Sequence, residues 1–390
     1  MFKLSQAELE KLGASITTQE IKQQPELWEE TFKIYDDQLE EIEAFLDKVK
    51  TAMSGKIRVL FTGAGTSQYV GDTVVPHLNK HGDRLRFSFE SAGTTDIVAS
   101  PESYLLADEP TILVSYARSG NSPESIATVD LANRIVKNLY HITITCAADG
   151  ALAKAAESDE DNLLLLMPPR SNDAGFAMTG SYTCMTLTGL LVFDSMSLEE
   201  KHTNVDELVK LGNELVEREV ELEALVDRDY NRVVYLGSGS LFGVARESQL
   251  KVLELTAGEV ATVYDTTLGF RHGPKSFINQ QTIVLGFVSN HVYTRNYDLD
   301  LLEEVAADQI AAAVVAIGQP GERGFDSGES FMYEASAERL EDGYLSLAAV
   351  IYAQTFAVLT SLKVNNKPDT PSKTGTVNRV VKGVQIHEYS

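Results

Sequence analysis

The chain has 390 residues, room for two or three domains at about 150 residues each, and its 43% hydrophobic and 23% charged residues suit a folded chain with a sizeable core. A formal net charge of −24 argues against nucleic acid or an anionic membrane as partner. It leaves room for a small phosphorylated ligand, which helix N-termini and backbone amides bind locally whatever the net charge.

The N-terminus, MFKLSQAELEKLGAS, has polar helical patterning and no basic end followed by an apolar run, so no signal peptide is expected and the chain reads as cytoplasmic. Residues 1–44 form a helical extension, expected to pack beside the first lobe. Residues 58–67, RVLFTGAGTS, are a short apolar run ending in Gly-x-Gly, with a helical stretch over 67–80. Strand-like runs follow at 111–115 and 141–146, with a helix over 123–137 between them. A polar helix over 205–229 links to residues 232–241, RVVYLGSGSL, which repeat the opening run. Strand-like runs at 282–286 and 312–318 then keep the order of the first half. The apolar stretch 346–362 carries Gln354, falls short of the ~20 residues of a membrane span, and reads as a buried core helix. A tail with Lys-Pro and Thr-Pro breakers ends in the β-like run GVQIHEY.

Alternating strands and helices, with strands apolar throughout, predict an α/β fold of two tandem, similar domains. Each is a parallel sheet sandwiched by helices, flavodoxin-like or Rossmann-like. The predicted boundaries are 1–44 for the extension, 45–203 and 204–365 for the domains, and 366–390 for the tail.

Ligands of open α/β sheets bind beyond the carboxyl ends of the strands. Gly63 and Gly65 permit close backbone approach there, and Thr66 and Ser67 offer hydroxyls and N–H groups at a helix start, although simple capping explains them equally well. The loop Arg118-Ser119-Gly120-Asn121-Ser122, followed by Pro123 as first helical residue, is a stronger phosphate signal because hydroxyls, a glycine and an arginine cluster at a helix N-terminus. Neither Gly-x-Gly has the third glycine of a dinucleotide fingerprint, and Glu90 alone is weak support for ribose binding. Lys251 and Glu254 share one helical face, which taken alone fits a surface salt bridge as readily as a catalytic pair. His272 sits between Arg271 and a Gly-Pro turn. Cys146 and Cys184 lack CxxC spacing or a nearby histidine cluster, so buried, inert thiols and no metal site are expected.

Taken in order, GAGTS, SGNS, KVLE and RHGP resemble the SIS-domain aldose/ketose isomerases, typified by the isomerase half of glucosamine-6-phosphate synthase, over roughly residues 45–390. The long form LTAGEVATVYDTTLGFRHGPKS resembles the branch described as tagatose-6-phosphate ketose/aldose isomerase or galactosamine-6-phosphate deaminase. The resemblance implies two SIS domains and a phosphate site at Gly65, Thr66, Ser67, Ser119 and Ser122, with Arg118 standing where the synthase has glutamine. It also implies Glu254 as the carboxylate that moves a proton between C1 and C2, Lys251 as its neighbour, and His272 as a ring-opening group from a partner subunit. Lys382 in the tail falls where the family has a lysine near the sugar carbonyl.

The chain begins Met-Phe and has no glutaminase domain, so amination is not expected. The expected activity is galactosamine 6-phosphate to tagatose 6-phosphate plus ammonia, without metal or organic cofactor, in a homodimer or higher oligomer with a shared active site. The alternatives are plain tagatose-6-phosphate isomerisation, a sugar-phosphate-binding regulator and, least, a dinucleotide enzyme.

Overall fold

The computed structural model describes residues 1–336, 338–381 and 383–389, and the chain divides into two compact bodies, each with its own five-stranded sheet. The first body comprises residues 27–173, 180–201 and 377–390. Its strands are β1 (Ile57–Gly63), β2 (Phe87–Gly93), β3 (Thr111–Ala117), β4 (Leu139–Thr145) and β5 (Asn162–Leu166). They pair in parallel in the order β2-β1-β3-β4-β5. Every residue of β1 and β3 is buried, because helices cover both faces of a parallel sheet; this is why these strands are apolar throughout instead of alternating.

The second body comprises residues 1–26, 174–179 and 202–376. Its strands are β6 (Arg232–Gly237), β7 (Ala261–Thr266), β8 (Thr282–Phe287), β9 (Ala313–Gly318) and β10 (Glu329–Met332). From the β7 edge the order is β7-β6-β8-β9-β10, again all parallel, so the repeat in sequence is a repeat in topology. This is the flavodoxin-like order, and its switch point lies between β1 and β3 in one sheet and between β6 and β8 in the other.

Each body has one helix that is apolar all round and therefore interior. In the first it is Gly180–Phe193, buried at every position. In the second it is Asp342–Lys363, whose 22 residues exceed the length read from sequence and would suffice to cross a membrane by length and composition. Burial decides its role: residues 343–361 are all buried within the body, and the helix is core.

Two segments depart from expectation. Only residues from 27 onward in the N-terminal extension join the first body; residues 1–26 belong to the second. There the Thr17 amide and hydroxyl donate to Asp369 at 2.8 and 2.9 Å, and the Gln24 side-chain amide donates to Gln354 of the core helix at 2.7 Å. In the tail, described residues 383–389 form no strand. The aromatic end holds the segment instead: the Tyr389 hydroxyl donates to Glu102 at 2.9 Å, its carbonyl accepts from Arg134 at 2.6 Å, and its ring packs against the cluster around Leu60, Ile97 and Leu131.

Candidate functional site

The two Gly-x-Gly turns are the same device used twice. Gly65 and Gly239 have φ of +56° and +58°, a conformation open to glycine, and each leads straight into a helix, Thr66–His81 or Ser240–Leu255. A Cβ on Gly63 would stand 2.5 Å from the Ser67 carbonyl carbon, and one on Gly237 would stand 2.3 Å from the Leu241 oxygen. The glycines thus bring the helix start against the strand end. In the first turn this buries Thr66 and Ser67. The Ser67 and Gln68 amides donate to the Ala64 and Gly65 carbonyls at 3.2 and 2.9 Å. The expectation of an open amide therefore does not hold at Ser67, and the hydroxyls of Thr66 and Ser67 are what the turn brings to the strand ends.

The loop after β3 is held from below. Gly120 has φ +65°, its carbonyl accepts the Leu152 amide at 3.2 Å, and Asn121 Oδ1 accepts the Ala151 amide at 3.0 Å. A Cβ on Gly150 would come within 2.4 Å of the Ser119 carbonyl. Ser122 is the N-cap residue of the Pro123–Ile135 helix by backbone, yet its hydroxyl makes no capping bond. Capping therefore does not account for a serine at this position. Ser119 Oγ accepts the Asn121 amide at 3.3 Å. Arg118, which the sequence offers as a charge for the ligand, is buried, and Nη2 donates to the Arg379 carbonyl of the tail at 2.6 Å. Arg379 in turn donates from Nε to the Asp173 carbonyl at 2.9 Å. Glu90 is engaged by Arg58 at 2.8 Å, as a sheet-edge ion pair.

In the second body the candidate residues lie further along the helix. Lys251 Nζ is 2.8 Å from Glu254 and 3.3 Å from Glu247, and its side chain is 1% exposed. Glu247 is fully buried, whereas Glu254 is 24% exposed. The surface-bridge reading of the Lys251–Glu254 pair fails on that burial. Desolvation works against the ammonium, but Glu247 and Glu254 outweigh it and hold the Lys251 pKa above its usual value. Glu247 escaped the sequence reading, although its i, i+4 spacing from Lys251 was there to be used. The triad carries one carboxylate in excess of its cation, and the outer one, Glu254, reaches the surface.

His272 ends a short 3₁₀ turn, Gly269–His272, and is exposed. Its neighbours are tied down: Arg271 and Lys275 reach Glu304 at 2.7 and 2.6 Å, Lys275 also reaches Asp308 at 2.6 Å, and Phe270 is fully buried. The Lys275 and Arg271 bonds hold the Glu304 carboxyl below its usual pKa. The loop thus presents an imidazole on a fixed base. Lys382 lies outside the described residues.

Cys146 and Cys184 are both buried, and desolvation raises both thiols, Cys146 to about 12. Among the described residues no group of three His, Cys, Asp or Glu side chains is placed to hold a metal ion.

Comparison with known proteins agrees with this architecture. The SIS domain profile matches residues 53–194. D-galactosamine-6-phosphate deaminase AgaS of Escherichia coli is 41% identical over 375 residues, covering 96% of each chain. The tagatose-6-phosphate ketose/aldose isomerase of Escherichia coli superposes with a TM-score of 0.86 at 39% identity, over 96% of each chain. A Clostridium novyi NT structure assigned to that isomerase activity does so with a TM-score of 0.93 at 44% identity, over 100% of this chain and 99% of its own. With a duplicated fold and relatives that match it over nearly their whole length, the chain belongs to the SIS-domain family, in the AgaS group.

Proposed function

We propose that the protein is a sugar-phosphate deaminase/isomerase that converts galactosamine 6-phosphate and water to tagatose 6-phosphate and ammonia. The observation that carries this reading is the Glu247–Lys251–Glu254 triad, a helix-borne carboxylate steadied by a buried ammonium and open to solvent on one side. Its support is the full-length similarity to a D-galactosamine-6-phosphate deaminase.

In this mechanism the hydroxyls of Ser67, Ser119 and Ser122, with Gly65 and Thr66 at the turn, receive the 6-phosphate. Arg118 contributes its charge from behind the loop. His272 opens the sugar ring as an acid/base group. Glu254 removes the C2 proton of the open-chain aldehyde, and the electrons move into a C1–C2 double bond as O1 takes up a proton. A carboxylate suits the step because the same group must take the proton and return it to the adjacent carbon. Lys251, buried between Glu247 and Glu254, tunes the Glu254 carboxylate by proximity and favours the negative charge that develops beside it. Return of the proton to C1 leaves an imine at C2, which water cleaves to the ketone and ammonia. The overall step is hydrolytic and uses no metal or organic cofactor.

The exposure of His272 on a pinned loop suits a histidine supplied to a neighbouring subunit, in a cytoplasmic homo-oligomer with shared sites. The decisive assay is ammonia release from galactosamine 6-phosphate beside glucosamine 6-phosphate: selective release from the first is expected. Interconversion of neutral ketose and aldose phosphates without ammonia would favour the second reading, the isomerase activity named for the Escherichia coli structure.

A further inference from the structure

The duplicated topology allows the two switch points to be laid over each other, loop by loop. In the second body three donors, one from each loop after β6, β7 and β8, converge on a single side chain, Asp298. Ser238 Oγ and Thr267 Oγ1 donate to one of its oxygens at 2.6 and 2.7 Å, and the Ser289 amide donates to the other at 3.0 Å. The next amide, Asn290, donates to Asp342 at 2.8 Å. Asp298 projects from the Val292–Ala307 helix and is fully buried. Desolvation raises its pKa, and the bonds from Ser238, Ser289 and Thr267 work against the rise. Two hydroxyls and an amide from three loops, gathered on a pair of oxygens at the carboxyl ends of parallel strands, form an oxyanion cradle with an occupant already in it.

Sheet register gives the counterparts in the first body. Arg58 of β1 stands beside Thr111 of β3 as Arg232 of β6 stands beside Thr282 of β8. On that register Ser289 falls on Arg118, and Thr267, directly after β7, falls on Thr94, directly after β2. The helix after β3 faces Thr94 with Thr128, whose hydroxyl donates to the Thr94 carbonyl at 3.4 Å, as the helix after β8 faces Thr267 with Asp298. The first body thus has a neutral, short residue where the second has a carboxylate.

We infer that the second body's oxyanion cradle is filled by the chain's own carboxylates, Asp298 above all, and that this internal occupant restricts the chain to one phosphorylated ligand, held by the first body. Removing the Asp298 carboxylate then opens a second site of the phosphate or sulfate class. The contrast rests on the phosphate reading of the first body, and the experiment separates the two ideas.

Binding of radiolabelled inorganic phosphate is counted by equilibrium dialysis on the intact chain, for wild type, Asp298→Ala and Asp298→Asn. The expected counts are one site per chain for wild type, two for the alanine variant, and one for the asparagine variant, which refills the cradle with a neutral side chain of equal size. A folded alanine variant with the wild-type count overturns the inference. A wild type with no site, and an alanine variant with one, overturns the first-body reading alone. Should the alanine variant not fold, amide hydrogen exchange on the unmodified protein decides. Phosphate should slow exchange in residues 118–122 and leave Ser289 and Asn290 unchanged; a response at Ser289 and Asn290 overturns the inference.

Discussion

The two helices that follow Gly65 and Gly239 leave the same turn with nearly the same dihedral angles and the same sheet order beneath them, and their candidate site residues lie in different parts of the helix. In the first they are the hydroxyl residues of its first turn, Thr66 and Ser67; in the second they are the buried charge cluster of its middle and C-terminal half, Glu247, Lys251 and Glu254. Duplication of a backbone therefore duplicates places, not chemistry. A helix start adds the helix dipole to its hydroxyls, which suits an anion, whereas positions further along supply only side chains and so have to build their charge balance from them.

This division of labour can be broken piece by piece. The largest effect is expected at the outer carboxylate: Glu254→Gln should lower turnover by ~10²- to 10⁴-fold, the usual scale of positioned acid–base catalysis, with sugar-phosphate binding preserved when titrated calorimetrically. Loss of binding together with turnover would contradict the separation of roles. Next is the inner carboxylate. Glu247→Ala leaves Lys251 with half of its compensation and should cost ~3 kcal/mol, the lower end for breaking a buried pair, in a urea unfolding experiment. Because the folded-state pKa of Lys251 is raised, the stability its ammonium contributes is complete below the unfolded lysine value of ~10.4 and is lost as pH rises through the folded value. The difference between wild type and Glu247→Ala should hence be constant across neutral pH and shrink only in strong alkali.

A smaller effect belongs to the serine loops. On the proposed phosphate site, Ser67→Ala and Ser122→Ala each remove a hydrogen bond to a charged group and should raise KM by ~10- to 100-fold with kcat little changed, as steady-state kinetics will report. An equal fall in kcat would place these serines at the reacting carbons and not at the phosphate. The smallest is backbone: Gly239→Ala meets no neighbour within 4 Å but must hold φ near +58°, so a loss of ~1–3 kcal/mol in thermal or urea unfolding is expected from conformation alone.

Much of this was legible because the repeat is written in short apolar runs and glycines, features fixed by backbone geometry. What was not legible depends on partners distant in sequence. Glu247 is an ordinary helical glutamate until burial makes it one of two counter-ions for Lys251. Arg118 reads as a ligand charge until the tail carbonyl of Arg379 claims one of its nitrogens. The GVQIHEY run alternates like a strand, yet residues 383–389 form none, and Tyr389 is held instead by Glu102 and Arg134. Residues 1–26 follow the second body because Asp369 and Gln354, more than 300 positions downstream, supply the polar partners of Thr17 and Gln24.

The placement of the two thiols has a practical consequence. Cys146 and Cys184 both lie in the first body, buried and held protonated, and the rest of the chain contains no cysteine. An alkylating reagent can therefore mark the chain only when that body opens, and the rate of its incorporation becomes a clock for one half of the protein. Added sugar phosphate should slow the clock if the serine loops of this half hold it, giving a binding measurement that needs no turnover and no engineered label.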